Sequence, residues 1–321
     1  MTGSSHTPEP TGQVSDAVKD NWVDTLAPEW TRPYLRLSRA DRPIGTWLLL
    51  LPCWWGLFLS ALNQGRFGWD GVWIFVACGL GAWLMRGAGC TWNDITDRNF
   101  DSQVERTRSR PIPSGQVTAK QAAAWMVLQA LTAFVILLTL NINAILLGLM
   151  SLVPVAIYPF AKRYTYWPQA FLGVAFNWGA LLAWTAHNGS LGWPAVVLYL
   201  SGLSWTLFYD TIYAHQDKED DVMIGVKSTA LLFGAETPKW MKRFLVVTLL
   251  LMLTAILLAA SERNMLSLVV AVGGPWAFGW HMVWQLRKLN IDDSEGLLAL
   301  FRANRDAGLI PVLFFMVALF I

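Results

Sequence analysis

The sequence predicts an all-α, polytopic membrane protein with about nine transmembrane helices. Three observations carry that prediction. Of 321 residues, 55% are hydrophobic and only 14% charged, with a mean hydropathy of +0.40, a balance too apolar for a soluble domain. Nine apolar runs have the length or near-length of a bilayer-crossing helix. Nineteen Trp residues suit a chain that meets the membrane–water interface many times, where Trp collects.

Residues 1–33 read as a polar leader, disordered or surface-bound, with Pro8, Pro10 and Gly12 and no cleavable signal segment. A single transmembrane domain is expected over 34–321. Its spans are predicted at 44–62, 71–91, 119–140, 143–160, 168–186, 193–209, 244–260, 265–286 and 307–321. Pro154 and Pro159 predict a kink or early exit in the fourth run. The last run has only fifteen residues, and the count of nine depends on it.

Charge placement orients the spans. Of 24 Lys and Arg residues, only Arg66 and Arg263 fall in connections on one side, and Arg86 falls within the second run. The remaining 21 occupy the N-terminal segment, the connections after runs two, four, six and eight or, for Lys120, the adjoining first turn of run three. The positive-inside rule makes those regions cytoplasmic, with the N-terminus inside and the C-terminus outside. A net charge of +2 gives no nucleic-acid footprint.

Two acid-rich segments interrupt this apolar background. The first is Asn93-Asp94-Ile95-Thr96-Asp97-Arg98-Asn99-Phe100-Asp101, and the second runs from Asp210 to Asp221. A lipid-facing carboxylate costs roughly 2.5–3.5 kcal/mol at mid-bilayer, so clusters of them must face water, a cavity or cations. The first follows run two and the second follows run six, which places both on the cytoplasmic face. The pairs Asp97/Asp101 and Asp217/Asp221 are 120 residues apart, a hint of two pseudo-repeated halves. On a continuing helix, Asp94, Asp97 and Asp101 share one face at i, i+3 and i+7, and Asn93 joins Asp97 and Asp101 at i, i+4 and i+8. In the second segment Asp210, Asp217 and Asp221 align at i, i+7 and i+11, with Tyr213 one turn before Asp217, while Asp220 points elsewhere as a spectator. Such oxygen donors suit Mg²⁺, which takes one or two carboxylates with waters and substrate phosphates. Two Mg²⁺ ions bridging a diphosphate would resolve the repulsion between the two acidic faces.

Cations that could complete such a site lie close in sequence. Arg106, Arg108 and Arg110 follow the first acidic face, Lys162 and Arg163 end the fourth run, and Lys218 and Lys227 flank the second segment. Arg110 and Arg163 stand out because each adjoins a Pro-bearing segment that fixes its position. Cys53, Cys78 and Cys90 lack metal-ligand spacing and read as small buried hydrophobes. His187 reads as a loop residue, and His215 alone is weak evidence of a ligand. No Walker A, GxSxG or GxGxxG motif appears in a fitting context.

Several segments resemble the 4-hydroxybenzoate branch of the UbiA superfamily of intramembrane aromatic prenyltransferases, over about residues 34–315. They are Leu37-Ser38-Arg39-Ala40-Asp41-Arg42-Pro43-Ile44-Gly45, Gly89-Cys90-Thr91-Trp92-Asn93-Asp94-Ile95-Thr96-Asp97 and the stretch from Val104 to Gly115. Tyr158-Pro159-Phe160-Ala161-Lys162-Arg163, Tyr209-Asp210-Thr211-Ile212-Tyr213-Ala214 and Gly225-Val226-Lys227-Ser228-Thr229-Ala230 complete the match.

The resemblance implies a helical bundle around a central cavity with a cytoplasmic polar cap. It also implies Mg²⁺-dependent transfer of a polyprenyl chain from polyprenyl diphosphate to the ring carbon ortho to the hydroxyl of 4-hydroxybenzoate, a step of ubiquinone biosynthesis. Asn93, Asp94, Asp97 and Asp101 would form one Mg²⁺-diphosphate site, and Asp217 and Asp221 the second. Asp97, Asp101, Asp217 and Asp221 are then the catalytic carboxylates. Asn93, Arg110, Lys162, Arg163, Lys227 and Tyr213 are the candidate substrate contacts, with Arg42 as a clamp for the benzoate carboxylate. The expected surroundings are the lipid bilayer of a cell inner (cytoplasmic) membrane, with the active site facing the cytoplasm. Two rivals are a prenyltransferase of the same superfamily for another aromatic acceptor and a secondary transporter. Transporters place ion sites near mid-membrane, and these carboxylates lie at one face.

Overall fold

Helix begins wherever the apolar pattern starts, and Asn, Ser or Pro marks many of the entries. The computed structural model describes residues 17–18, 20–103 and 107–321, and no strand occurs among them. Three short leading helices or half-helices give way to long ones: α1 Trp22–Thr25, α2 Arg32–Leu37, α3 Ile44–Gln64, α4 Trp69–Asp101 and α5 Ala119–Leu137. Then come α6 Ile142–Met150, α7 Leu152–Tyr164, α8 Pro168–Asn188, α9 Trp193–Ala214, α10 Lys218–Ile224 and α11 Thr229–Phe233. The chain ends with α12 Thr237–Ala259, α13 Met265–Lys288 and α14 Ser294–Leu319. Asn141 caps α6 by accepting from the Ala144 amide, and Asn264 caps α13 by accepting from the Ser267 amide. Pro occupies the first turn of α8, α9 and α12, where its missing N–H costs nothing.

Every predicted run falls mostly on helix. Among the described residues, seven helical runs are long and apolar enough to cross a membrane. The predicted runs on α8 and α14 are not among the seven. Their polar content explains this. On α8, Gln169, Asn177, Thr185 and His187 are buried against protein, and α14 carries Glu295, Arg302, Arg305 and Asp306 in its first half. The kink expected near Pro154 is a break one turn earlier, where α6 ends at Met150 and α7 starts at Leu152. Proline has no N–H for the i−4 carbonyl and its ring collides with it; for Pro154 that residue is Met150.

The chain divides into two compact units, one of residues 1–43 and 85–130, the other of 44–84 and 131–321. The leader expected from the sequence spans residues 1–33. Residues 1–16 and 19 of that leader lie outside the described residues. From Asn21 onward it is folded. Asn21 accepts from the Val23 and Asp24 amides to start α1, Arg36 pairs with Asp24 at 2.8 Å, and Trp22 donates to the Ala40 carbonyl at 3.1 Å.

In the larger unit α3 packs on α8, α8 on α9, α9 on α12, and α13 on α14, which returns to α3. Lipid tails are as apolar as leucine, so close packing and buried polar bonds do much of the work of association. Gly56 of α3 lies directly against the Ala180 backbone of α8, where any Cβ would overlap the carbonyl. The centre holds Trp55, Trp205 and Phe278, all fully buried. Trp55 donates to the Gly308 carbonyl at 2.7 Å and Trp205 to Asn304 Oδ1 at 3.0 Å, so both indole N–H groups are satisfied. Asn304 in turn donates to Gln285 Oε1 at 3.1 Å.

Candidate active site

The first acidic set stands on α4, which continues unbroken to Asp101. The continuing helix assumed from the sequence is therefore present, and Asn93, Asp94, Asp97 and Asp101 lie within one arc of its surface. Asp94 and Asp97 are fully buried, Asp101 nearly so, and Asn93 is half-buried. Thr107 closes the helix end by donating to the Asp101 carbonyl at 2.9 Å.

Guanidinium groups meet these acids. Arg39 Nη2 donates to Asp94 Oδ1 at 2.5 Å. Arg110 Nη1 donates to Asp101 Oδ2 at 2.9 Å and reaches the same Asp94 Oδ1 at 3.3 Å. Arg110 is aimed by the turn that carries it, where its amide bonds the Thr107 carbonyl at 2.9 Å. Arg108, two residues earlier, is exposed, and Arg106 lies outside the described residues.

Arg39 is the functional residue that sequence reasoning missed. It sits in the turn between α2 and α3 with φ of +58°, a left-handed conformation uncommon for a residue with a Cβ. The turn is held from both sides. Ser38 donates to Gln129 Oε1 at 2.9 Å and accepts from the Trp125 indole at 2.8 Å, while Arg39 Nη1 donates to the Arg36 carbonyl at 3.1 Å. Burial works against the Arg39 charge, but Asp94 most of all, then Cys90 and Asp41, hold the guanidinium proton more firmly than usual. The only sequence signal is the density of ionisable residues in Arg39-Ala40-Asp41-Arg42. Arg42, the residue favoured as a carboxylate clamp, is buried with Nε 3.7 Å from Asp41 Oδ1. Burial pushes the Asp41 carboxyl up to about 6, against the opposing pull of Arg39.

The second acidic segment belongs to the larger unit. Its assumed helical register fails, because α9 ends at Ala214 and residues His215–Asp217 form a 3₁₀ turn before α10. A 3₁₀ turn advances about 120° per residue rather than 100°, so over its three residues Asp210 is turned by roughly 60° from the assumed alignment with Asp217 and Asp221. Asp217 and Asp221, both half-buried, sit at the start and the middle of α10. Tyr213 stacks on Phe301 with ring centroids 4.2 Å apart.

The segment from Gly225 to Thr229 acts as scaffolding for these acids. Gly225 ends α10 with φ of +71°, a conformation glycine adopts without penalty. Ser228 caps α11 through the Leu231 amide. Thr229 bonds the Thr211 hydroxyl at 2.7 Å, and its amide donates to Gln169 Oε1 at 3.0 Å. Lys227, a candidate substrate contact, lies against the end of α7. Its amide donates to the Lys162 carbonyl at 2.9 Å and its ammonium to the Tyr164 carbonyl at 3.2 Å, so it closes the C-terminal, negative end of α7. Lys162 and Arg163 occupy that same last turn, with the Arg163 guanidinium 5.1 Å over the Phe160 ring.

Among the described residues no group of three His, Cys, Asp or Glu side chains is arranged to hold a metal ion by itself. The donors do fit a hard divalent cation completed by substrate oxygens. Asn93, Asp97 and Asp101 offer oxygen ligands on one helix face, and Mg²⁺ characteristically takes only one or two carboxylates and draws the rest from phosphate and water.

A model of the UbiA prenyltransferase family matches residues 49–304. The chain is 48% identical over 292 residues to the 4-hydroxybenzoate polyprenyltransferase, mitochondrial, of Rattus norvegicus, covering 90% of this chain and 75% of that protein. It is 46% identical over 309 residues to the Homo sapiens protein of the same name, covering 95% and 80%. A UbiA homolog from Aeropyrum pernix shares the fold at a TM-score of 0.67 and 20% identity, over 84% of this chain and 97% of that one. A UbiA homolog from Archaeoglobus fulgidus, bound to GPP and Mg²⁺, gives 0.61 at 16% identity, over 90% and 100%. The relatives' names correct one expectation. Placement in a cell inner membrane facing the cytoplasm does not stand, since the relatives are named mitochondrial and point to the mitochondrial membrane. Multi-pass membrane character is unaffected.

Proposed function

The chain belongs to the UbiA prenyltransferase family, and from that membership we infer that it transfers a polyprenyl chain from polyprenyl diphosphate to 4-hydroxybenzoate within a membrane. The observation that carries the reading is near-half identity, across almost the whole chain, to proteins named for that reaction. In the reaction the allylic C–O bond breaks, its electron pair leaves with diphosphate, and a ring carbon of 4-hydroxybenzoate forms the new C–C bond and loses its proton. The hydroxyl donates electron density to the ortho carbon, which is the proposed site of attachment.

Asn93, Asp97 and Asp101 are the proposed oxygen donors to one Mg²⁺ and, through it, to diphosphate, and Asp217 and Asp221 are the proposed donors to a second. When bound, the cation would neutralise charge developing on the departing diphosphate. Support comes from the burial of Asp97 and Asp101 on one helix and from the UbiA homolog that binds GPP with Mg²⁺. Arg110, with a donor already on Asp101, is the proposed direct contact to the diphosphate. Lys162, Arg163 and Tyr213 are retained as candidate contacts. Arg42, held beside Asp41, remains the proposed partner of the benzoate carboxylate.

The test uses membranes containing the full chain, supplied with Mg²⁺, 4-hydroxybenzoate and polyprenyl diphosphates of graded length. Mass spectrometry should find prenylated 4-hydroxybenzoate and one diphosphate per product, and NMR should place the chain ortho to the hydroxyl. Prenylation of a different aromatic acceptor, with none of 4-hydroxybenzoate, would overturn the reading.

A further inference from the structure

Asp94 of α4 meets two guanidinium groups. Its Oδ1 accepts from Arg39 at 2.5 Å and from Arg110 at 3.3 Å, and the side chain is wholly buried. Its other oxygen, Oδ2, is buried and accepts no hydrogen bond among the described residues. One carboxylate oxygen thus gathers two guanidinium groups, the second of which it shares with Asp101. Adding a dication there would set three positive groups around a single carboxylate in a low-dielectric interior. Asp101, by contrast, carries one guanidinium, from Arg110 at 2.9 Å. Arg110 Nε is itself buried and has no acceptor among the described residues, and a buried donor left open calls for an anion.

We propose that Asp94 is a positioning residue rather than a cation ligand: it holds Arg39 and Arg110 together as a paired guanidinium seat for the diphosphate. The backbone of Arg39 fits this role. A left-handed residue at φ +58° persists only where its surroundings over-determine it, and here Ser38, bonded to Gln129 and Trp125, fixes one side while Asp94 fixes the guanidinium. Arg39 is expensive to place and is placed by Asp94. The proposal rests on the prenyltransferase reading for the identity of the anion, but not for its chemistry, since any diphosphate would find the same donors.

The experiment uses the full chain in detergent with inorganic diphosphate as the probe. Calorimetry in EDTA should show Asp94→Asn binding diphosphate about tenfold or more weakly than wild type, the loss expected when charge-assisted donors are released. Mn²⁺ titrated against each protein with saturating diphosphate, and followed by electron paramagnetic resonance, should bind Asp94→Asn within about twofold of wild type but Asp97→Asn at least about tenfold more weakly. Equal loss of Mn²⁺ affinity in Asp94→Asn and Asp97→Asn would overturn the proposal, and so would unchanged diphosphate binding by Asp94→Asn in EDTA. Arg39→Gln leaves Asp94 in place and keeps the test open if Asp94→Asn does not fold. Wild-type diphosphate affinity for Arg39→Gln in EDTA would also overturn it. A wild-type protein that binds diphosphate in this way yet never prenylates 4-hydroxybenzoate would sink the activity and leave the seat standing.

Discussion

Thr211 and Thr229, eighteen residues apart, share a buried hydroxyl–hydroxyl bond of 2.7 Å. It closes the loop that carries Asp217 and Asp221, joining the end of α9 to the start of α11. Neither residue has any exposed surface. Replacing one alone leaves the other hydroxyl buried and unpaired, so Thr229→Val is expected to cost about 1–3 kcal/mol. The double variant Thr211→Val with Thr229→Val removes both polar groups and should recover most of that loss. Thermal unfolding in detergent checks this, and a double variant less stable than either single would count against the bond's role.

Gly225 tests the other end of the same loop. A Cβ at this position meets no atom, so the cost of Gly225→Ala is conformational alone. Holding a left-handed residue with a side chain costs about 1–2 kcal/mol, while asparagine tolerates the conformation better. Gly225→Ala should therefore lower the unfolding temperature and raise KM for the prenyl diphosphate, and Gly225→Asn should restore much of both. Equal defects in the two variants would show that backbone conformation is not what the glycine supplies.

These residues also show what could be read before the structure. The register of Asp94, Asp97 and Asp101 is legible because it follows from helical period alone, and α4 has no proline to interrupt it. The register from Asp210 to Asp221 is not legible, because the 3₁₀ turn at His215–Asp217 leaves no breaker residue in the sequence. Arg39 escapes for a different reason. Its contact with Asp94 spans 55 residues and depends on a left-handed turn that no local pattern announces. The bonds that Lys227 makes to the carbonyls of Lys162 and Tyr164 span more than sixty residues and are likewise invisible to local pattern.

The proposed carboxylates differ from their neighbours in expected severity. Asp97→Ala and Asp217→Ala should each reduce turnover in membranes at saturating Mg²⁺ by roughly 10²–10³-fold, the range for losing one preorganised electrostatic group. EDTA should abolish turnover of the wild type and Mg²⁺ restore it. Asp220→Asn, outside the proposed set, should stay near wild type. Near-normal turnover in either alanine variant would remove that carboxylate from the site.

Asp41 gives a pH test that is independent of catalysis. Burial raises its carboxyl from the ordinary 3.8 to about 6, while Arg39 pulls the other way. A folded-state value above the unfolded one means that the folded protein binds this proton more tightly. The resulting stability is fully present below pH 3.8, declines as pH rises because the unfolded chain ionises first, and is gone once pH passes about 6. At 1.36 kcal/mol per pH unit the change is of order 3 kcal/mol at most. Asp41→Asn cannot titrate, so the stability difference between wild type and variant isolates this group from all others. That difference should move against the wild type between pH 4 and pH 6, the window set by the two values, and stay level above it. Thermal unfolding of both proteins in detergent across this range measures it. A difference that stays constant from pH 4 to pH 7 would mean that Asp41 keeps its charge in the fold, held by Arg39 and Arg42 more strongly than burial opposes it.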